Sequence, residues 1–280
     1  MASISVVTDN SADLPADIAA KYGITVVPLI VRFGEETFMD TRLAPGEFWR
    51  RAEKAPPQTS GASLGEFLSA FQRLVAQGSQ VLCLTLTGRH STVFGAAWSA
   101  AREFGDRVTV FDSQSISWGL GWQAIAAAEA TAKGLALEQV LDAVRDVRAR
   151  VNIQLVLDTM SFVRRGGRAD HFISVIDRAA RTLSIKPTLA FVGGEIKLAT
   201  FSRTWERGVR RLMTEIGQIA PLDGLAIGHT ARRERAEQFA DQVAQDTGYP
   251  RQNIHVFEPG VAIASHSGPG LLAAVALTGH

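Results

Sequence analysis

Small hydroxyl residues recur where the apolar runs of this chain end. Thr8 to Ser11 close the first β-rich run, and Thr59, Ser60 and Ser63 occupy the stretch before a helix. Thr87 follows the apolar run Gln80–Leu86, Ser91-Thr92 open the next helix, and Ser113 and Ser115 follow Arg107–Phe111. In an open parallel sheet the ligand crevice lies outside the carboxyl ends of the strands. Helix N-termini there present unpaired N–H groups and a partial positive charge, to which Ser and Thr add neutral donors. That combination suits one small anionic group such as a carboxylate. Each hydroxyl taken singly reads better as an ordinary helix cap; several on one sheet edge shift the balance toward a site. Arg89 is the sole basic residue among these positions. Phosphate sites recruit a lysine or an arginine fork, so a single negative charge fits better. His266-Ser267-Gly268-Pro269-Gly270 offers an imidazole donor, or else a structural histidine at a glycine-rich turn.

Two motifs imitate catalysis. Gly61-Ala62-Ser63-Leu64-Gly65 fits the G-x-S-x-G nucleophile elbow, which needs a buried strand running into it. Here Lys54-Ala55-Pro56-Pro57-Gln58 precedes it, so Ser63 reads as a helix N-cap. Gly119-Leu120-Gly121-Trp122 resembles a dinucleotide fingerprint, but Asp112–Trp118 separates it from the preceding strand and Trp122 would crowd a pyrophosphate. The six histidines show no i,i+4 pair, so no metal site is expected. The single cysteine, Cys83, lies in an apolar run and reads as a buried thiol, excluding disulfides and thiolate metal sites.

Alternating elements must position these residues. Strands are expected over Ser3–Thr8, Val26–Phe33 with a hairpin partner after Gly34, Gln80–Leu86 and Arg107–Phe111. Helices are expected over Pro45–Glu53, Ser63–Gln77, Ser91–Phe104, Trp118–Lys133 and Leu137–Val151, with Lys54–Gly61 a loop. Beyond residue 150 the pattern changes. A strand at Gln154–Leu157 precedes helical stretches at Met160–Arg164 and Phe172–Leu183. Ser184–Val192 and Glu195–Ser202 flank Gly193-Gly194, a hairpin signal. Helices at Thr204–Ile219 and Arg232–Asp246 alternate with strands at Leu225–Gly228, Ile254–Glu258, Val261–Ser265 and Leu272–Leu277. The fold class is therefore α/β in two domains: residues 1–150 form a mostly parallel sheet wrapped by helices, and residues 151–280 a mixed α/β sheet.

Composition sets the outer bounds. The chain has 280 residues, 46% hydrophobic and 20% charged, enough for a substantial core. Its 29 basic and 28 acidic residues leave a net charge of +1, which gives no attraction to nucleic acid. The start carries no signal-peptide pattern, and no apolar run approaches the roughly 20 residues of a membrane span. A cytoplasmic protein is expected.

Seven ordered motifs resemble the DegV family of bacterial fatty-acid-binding proteins, over nearly the whole chain. Val7-Thr8-Asp9-Asn10-Ser11-Ala12-Asp13-Leu14 looks like V-T-D-S-T/S-A-D-L, and Thr59-Ser60-Gly61-Ala62-Ser63-Leu64-Gly65-Glu66-Phe67 like T-S-Q-P-S-P-G-E-F. Ser91-Thr92-Val93-Phe94-Gly95-Ala96-Ala97 aligns with S-G-T-Y-Q-S-A, and Val110-Phe111-Asp112-Ser113 with V-x-D-S. Phe162-Val163-Arg164-Arg165-Gly166-Gly167-Arg168 resembles L-K-K-G-G-R-I, Ile185-Lys186-Pro187 the I-K-P strand, and His266-Ser267-Gly268-Pro269-Gly270 H-x-G-P-G. The resemblance implies a carrier rather than an enzyme, with no cofactor beyond its ligand. It implies a long-chain fatty acid such as palmitate, buried between the domains. Thr59 and Ser91, with Ser60 and Thr92 beside them, would bind its carboxylate, and His266 would lie next to it. The partner implied is a separate fatty acid kinase, facing surface groups near Arg168 and His266. Gly61-Ala62 stands in place of Gln-Pro, Thr92 in place of Gly and Val93 in place of Thr. These departures imply a changed head-group loop.

Two other functions compete with this one. A serine hydrolase would use Ser63 or Ser91 with His266 and Asp9 or Asp112, and needs a base within reach of the serine. A phosphosugar or dihydroxyacetone-type carrier is disfavoured by the lack of basic residues.

Overall fold

The computed structural model describes residues 3–159, 162 and 185–280. The chain divides into two compact units: Met1–Ala149 with Gly260–Ala262, and Arg150–Pro259 with Ile263–His280. The fold is α/β, with a parallel sheet in the first unit and a separate mixed sheet in the second.

In the first unit, β1 (Ile4–Asp9), β2 (Thr25–Val27), β6 (Gln80–Thr85) and β7 (Val108–Asp112) form a parallel sheet in the order β2-β1-β6-β7. The run Val81–Thr85 is wholly buried, as befits a central parallel strand covered on both faces. Helix α3 (Leu64–Ala76) buries Phe67, Ala70, Phe71, Leu74 and Val75, the spacing of one amphipathic face. Helix α4 (Val93–Ala101) and helix α5 (Trp118–Ala132) also cover the sheet, with Trp118 and Leu120 fully enclosed.

Two expectations are corrected here. The strand expected over Val26–Phe33 breaks at Pro28. Its first part is β2, while β3 (Ile30–Phe33) leaves to pair with β4 (Glu36–Met39) in a separate antiparallel sheet. Proline cannot donate to a ladder, and the next N–H, of Leu29, goes to the Asp40 carboxylate at 2.9 Å. The stretch Lys54–Gly61 is also not all loop. Its end forms β5 (Pro57–Gly61), antiparallel to β3 with Val31 opposite Thr59. Pro57 is tolerated because β5 is an edge strand that begins at the proline.

In the second unit, β8 (Val151–Val156), β9 (Lys186–Val192), β10 (Glu195–Ser202), β11 (Leu222–His229), β12 (Ile254–Phe257) and β13 (Leu272–Thr278) take the order β10-β9-β8-β13-β11-β12. The β11–β12 pair is parallel and the others antiparallel. Between sheet and helices, Leu212, Ile216, Leu225, Ile227, Phe239 and Val243 join one core cluster. With α6 at Leu137–Arg150, the helices completing the described order are α7 (Trp205–Gln218), α8 (Arg233–Thr247) and α9 (Val261–Ser267). The strand expected over Val261–Ser265 is thus a helix. Four apolar residues and a serine do not distinguish the two periods, and burial of Val261, Ala262, Ala264 and Ser265 follows the helical one. The helical stretches expected at Met160–Arg164 and Phe172–Leu183 lie outside the described residues, apart from Phe162. Among the described residues, no helix is long and apolar enough to cross a membrane.

After β1 the chain turns through Asn10–Ala12 to Asp13, which has a positive φ of 52°. Asp13 accepts the Gly260 N–H at 2.8 Å and the Ser117 hydroxyl at 2.6 Å. Asp40 accepts the Asn10 side-chain amide at 2.8 Å and the Leu29 N–H. Burial pushes Asp13 up to about 7, opposed by the bonds from Gly260 and Ser117 and reinforced by the charges of Asp40 and Asp9. Burial likewise pushes Asp40 up to about 6. Both acids are more easily protonated folded than unfolded. Their stabilising contribution is therefore complete below the unfolded carboxylate pKa and is lost as pH rises through about 6 to 7. The Asp13→Asn protein imitates the neutral acid, with its amide donating to Ser117. Its melting temperature, measured against the parent, is expected to rise relative to it between pH 5 and pH 8. A constant difference across that range would refute the assignment.

Candidate functional site

The parallel strands β1, β6 and β7 bring their carboxyl ends to one edge. β1 connects to β2 on one side and neighbours β6 on the other, so the crevice of this sheet lies at β1 and β6. Asp9, fully buried at the end of β1, ties the two strand ends together. One oxygen accepts the Ser11 N–H at 3.0 Å and also bonds the Ser11 hydroxyl; the other accepts the Leu86 N–H at 2.8 Å. Burial pushes its pKa up, against those hydrogen bonds. Asp112, at the end of β7, accepts the Gly88 N–H at 3.2 Å and the Gln114 N–H at 2.9 Å. The loop leading to Ser91 is thus held from both neighbouring strands. These are the two carboxylates a hydrolase would have needed beside its histidine, and both are engaged by backbone donors.

The structure sorts the hydroxyls of this edge into two groups. Thr8, Ser11, Thr87, Ser113 and Ser115 are buried. Ser60 and Thr92 are exposed and Ser91 half-buried. Ser63 is the N-cap of α3, its Oγ accepting the Glu66 N–H at 3.2 Å. Ser91 Oγ accepts the Val93 N–H at 3.2 Å. A hydroxyl has one hydrogen and two lone pairs, so Ser91 retains its hydrogen for a ligand. Thr92 is the N-cap of α4 but makes no side-chain capping bond. Thr59 of β5 lies opposite Val31, and the ladder slips at Ser60, which has no partner in the register before Gly61 meets Ile30. Leu64, Gly88, Ser91, Thr92, Phe94, Gly95, Ala96 and Ser99 line an open cavity of about 590 Å³, which mixes hydroxyl and apolar groups.

The dinucleotide-like glycines lie inside α5, where a methyl on Gly121 would stand 2.9 Å from Leu14 and 3.0 Å from the Ala12 carbonyl. Their role is close packing. Cys83 is buried, and burial pushes its thiol pKa up, so it stays protonated. Among the described residues no cluster of His, Cys, Asp and Glu could hold a metal ion.

His266 stands in the last turn of α9. The turn after it was legible as a motif, but the residue that fixes it was not. Thr230, fully buried after β11, donates to the Gly268 carbonyl at 2.6 Å and accepts the Leu271 N–H at 2.8 Å. Its own carbonyl accepts the Gly270 N–H at 2.9 Å. Gly268 has φ +71°, and a methyl there would stand 2.7 Å from the Phe162 ring. Nothing in the sequence separates Thr230 from other threonines at strand ends.

A parallel α/β unit with hydroxyls at its carboxyl edge and a second unit built on a mixed sheet define an α/β protein of two units. The chain belongs to the DegV family: the model of that family, described as "Uncharacterised protein, DegV family", matches residues 3–279. A DegV domain-containing protein of Deinococcus radiodurans is 30% identical over 272 residues, covering 96% of both chains. One of Streptomyces coelicolor is 32% identical over 278 residues, covering 97% of both. A solved structure of a DegV family protein from Thermus thermophilus, described for its fatty acid binding, superposes with a TM-score of 0.86 at 27% identity and 99% coverage of both chains. Nothing among these likenesses supports the serine hydrolase.

Thr230→Val keeps the shape and removes both side-chain bonds. It is expected to cost about 1–3 kcal/mol, because a buried carbonyl and N–H lose their partner. Denaturant unfolding measures the loss. A variant as stable as the parent would show that Thr230 does not fix the turn.

Proposed function

We propose that this protein is a fatty acid carrier: it binds a long-chain acid such as palmitate with the alkyl chain in a buried tunnel, and it catalyses nothing itself. The observation that carries this reading is the match over the whole chain to a Thermus thermophilus relative described for fatty acid binding. Thr59 and Ser91 hold the carboxylate, with Ser60, Thr92 and His266 as further contacts. Ser91 suits the role because its Oγ is fixed by the Val93 N–H while its hydrogen stays available. Burial of each methylene is worth about 0.8 kcal/mol, so about 15 of them supply on the order of 10 kcal/mol before ordering costs. The head group then needs only enough hydrogen bonds to offset its desolvation. The acid is presented to a separate fatty acid kinase, which would form the acyl phosphate.

Organic extraction of the purified protein followed by mass spectrometry is expected to release a long-chain fatty acid. Delipidated protein is expected to take up palmitate, and Ser91→Ala to weaken uptake by about tenfold, the loss of one charge-assisted bond. Folded protein that neither carries nor takes up an acid would overturn the proposal.

A further inference from the structure

The two departures at the head-group loops, Gly61 and Thr92, are the two sides of one contact. Gly61 ends β5, where Thr59 and Ser60 lie, with φ +74°. Thr92 opens α4, directly after Ser91. A methyl on Gly61 would stand 3.0 Å from Thr92 Oγ1, 3.4 Å from Val93 Cγ2 and 3.9 Å from the Val93 nitrogen. Val93 is fully buried and cannot yield. Thr92 is branched at Cβ and has few rotamers to escape into. The end of β5 therefore lies against the start of α4 as closely as atoms allow, and only because residue 61 has no side chain.

We infer that Gly61 and Thr92 are a coupled pair that sets the spacing of the two head-group loops, with Gly61 the positioning residue. Thr92 makes no side-chain capping bond with its own helix, and the Val93 N–H is bonded by Ser91. Thr92 lines a cavity with Ser91 and Ser99. A side chain at 61 requires the Thr92 hydroxyl or the end of β5 to shift.

The ligand arm of the test rests on the fatty acid reading; the stability arm does not. Four full-length proteins suffice: the parent, Gly61→Ala, Thr92→Gly and the double variant. The strain of a non-glycine residue at positive φ falls on Gly61→Ala in either background and cancels in the cycle. Gly61→Ala is expected to lower the melting temperature of the delipidated protein and to weaken palmitate binding about tenfold when Thr92 is present. In the Thr92→Gly background the same change is expected to lower the melting temperature by less than half as much and to weaken binding less than threefold. Equal effects in both backgrounds, no effect in either, or failure of both alanine variants to fold would overturn the coupling. If even the parent takes up no palmitate, the carrier reading fails, while the melting temperatures still decide the pair.

Discussion

Asp9 is enclosed at the end of the first strand, with its two oxygens shared between the Ser11 N–H and the Leu86 N–H. Enclosing a carboxylate raises its free energy, and only donors held in place offset that cost. Here the donors belong to the chain that leaves β1 and the chain that leaves β6. The cost of burial therefore becomes a constraint on two loops at once. Asp112 repeats the device from β7 through the Gly88 N–H. Between them the two carboxylates hold the stretch that delivers Ser91 and Thr92 to the start of α4. Without that clamp these hydroxyls would be ordinary loop residues with no fixed direction.

A carboxylate clamp of this kind uses up the acids of the edge as structural groups. What remains at least partly exposed at this edge is the set of Ser60, Ser91 and Thr92 hydroxyls, the apolar Leu64 and Phe94, and one cation, Arg89. The second unit follows a parallel logic. Thr230 is buried to bond both Gly268 and Leu271, and so it stiffens the turn that follows His266.

Several elements could be read from local patterns because one physical cause dominated each. The α3 face Phe67, Ala70, Phe71, Leu74 and Val75 follows from helical period alone, and Ser63 with Glu66 marks its start. The apolar run Val81-Leu82-Cys83-Leu84 declares a central strand. The misread elements are those in which a partner decides. β5 is polar and proline-led, and becomes a strand only because β3 offers an unpaired edge. Val261–Ser267 is short and apolar, so its helical state depended on what it packs against. The hydroxyls were legible as a set, yet their division into buried and exposed members was not, because burial belongs to the whole fold.

The sequence by itself determined the α/β class and the family, since these rest on periodicity and ordered motifs. Tertiary structure alone decided that Asp9 and Asp112 clamp the loop that follows β6. It also decided that Gly61 faces Thr92 across thirty residues of chain. A motif records which groups are present. Distances between them are set by how strands and helices from distant parts of the chain pack, and those distances fix what each group does.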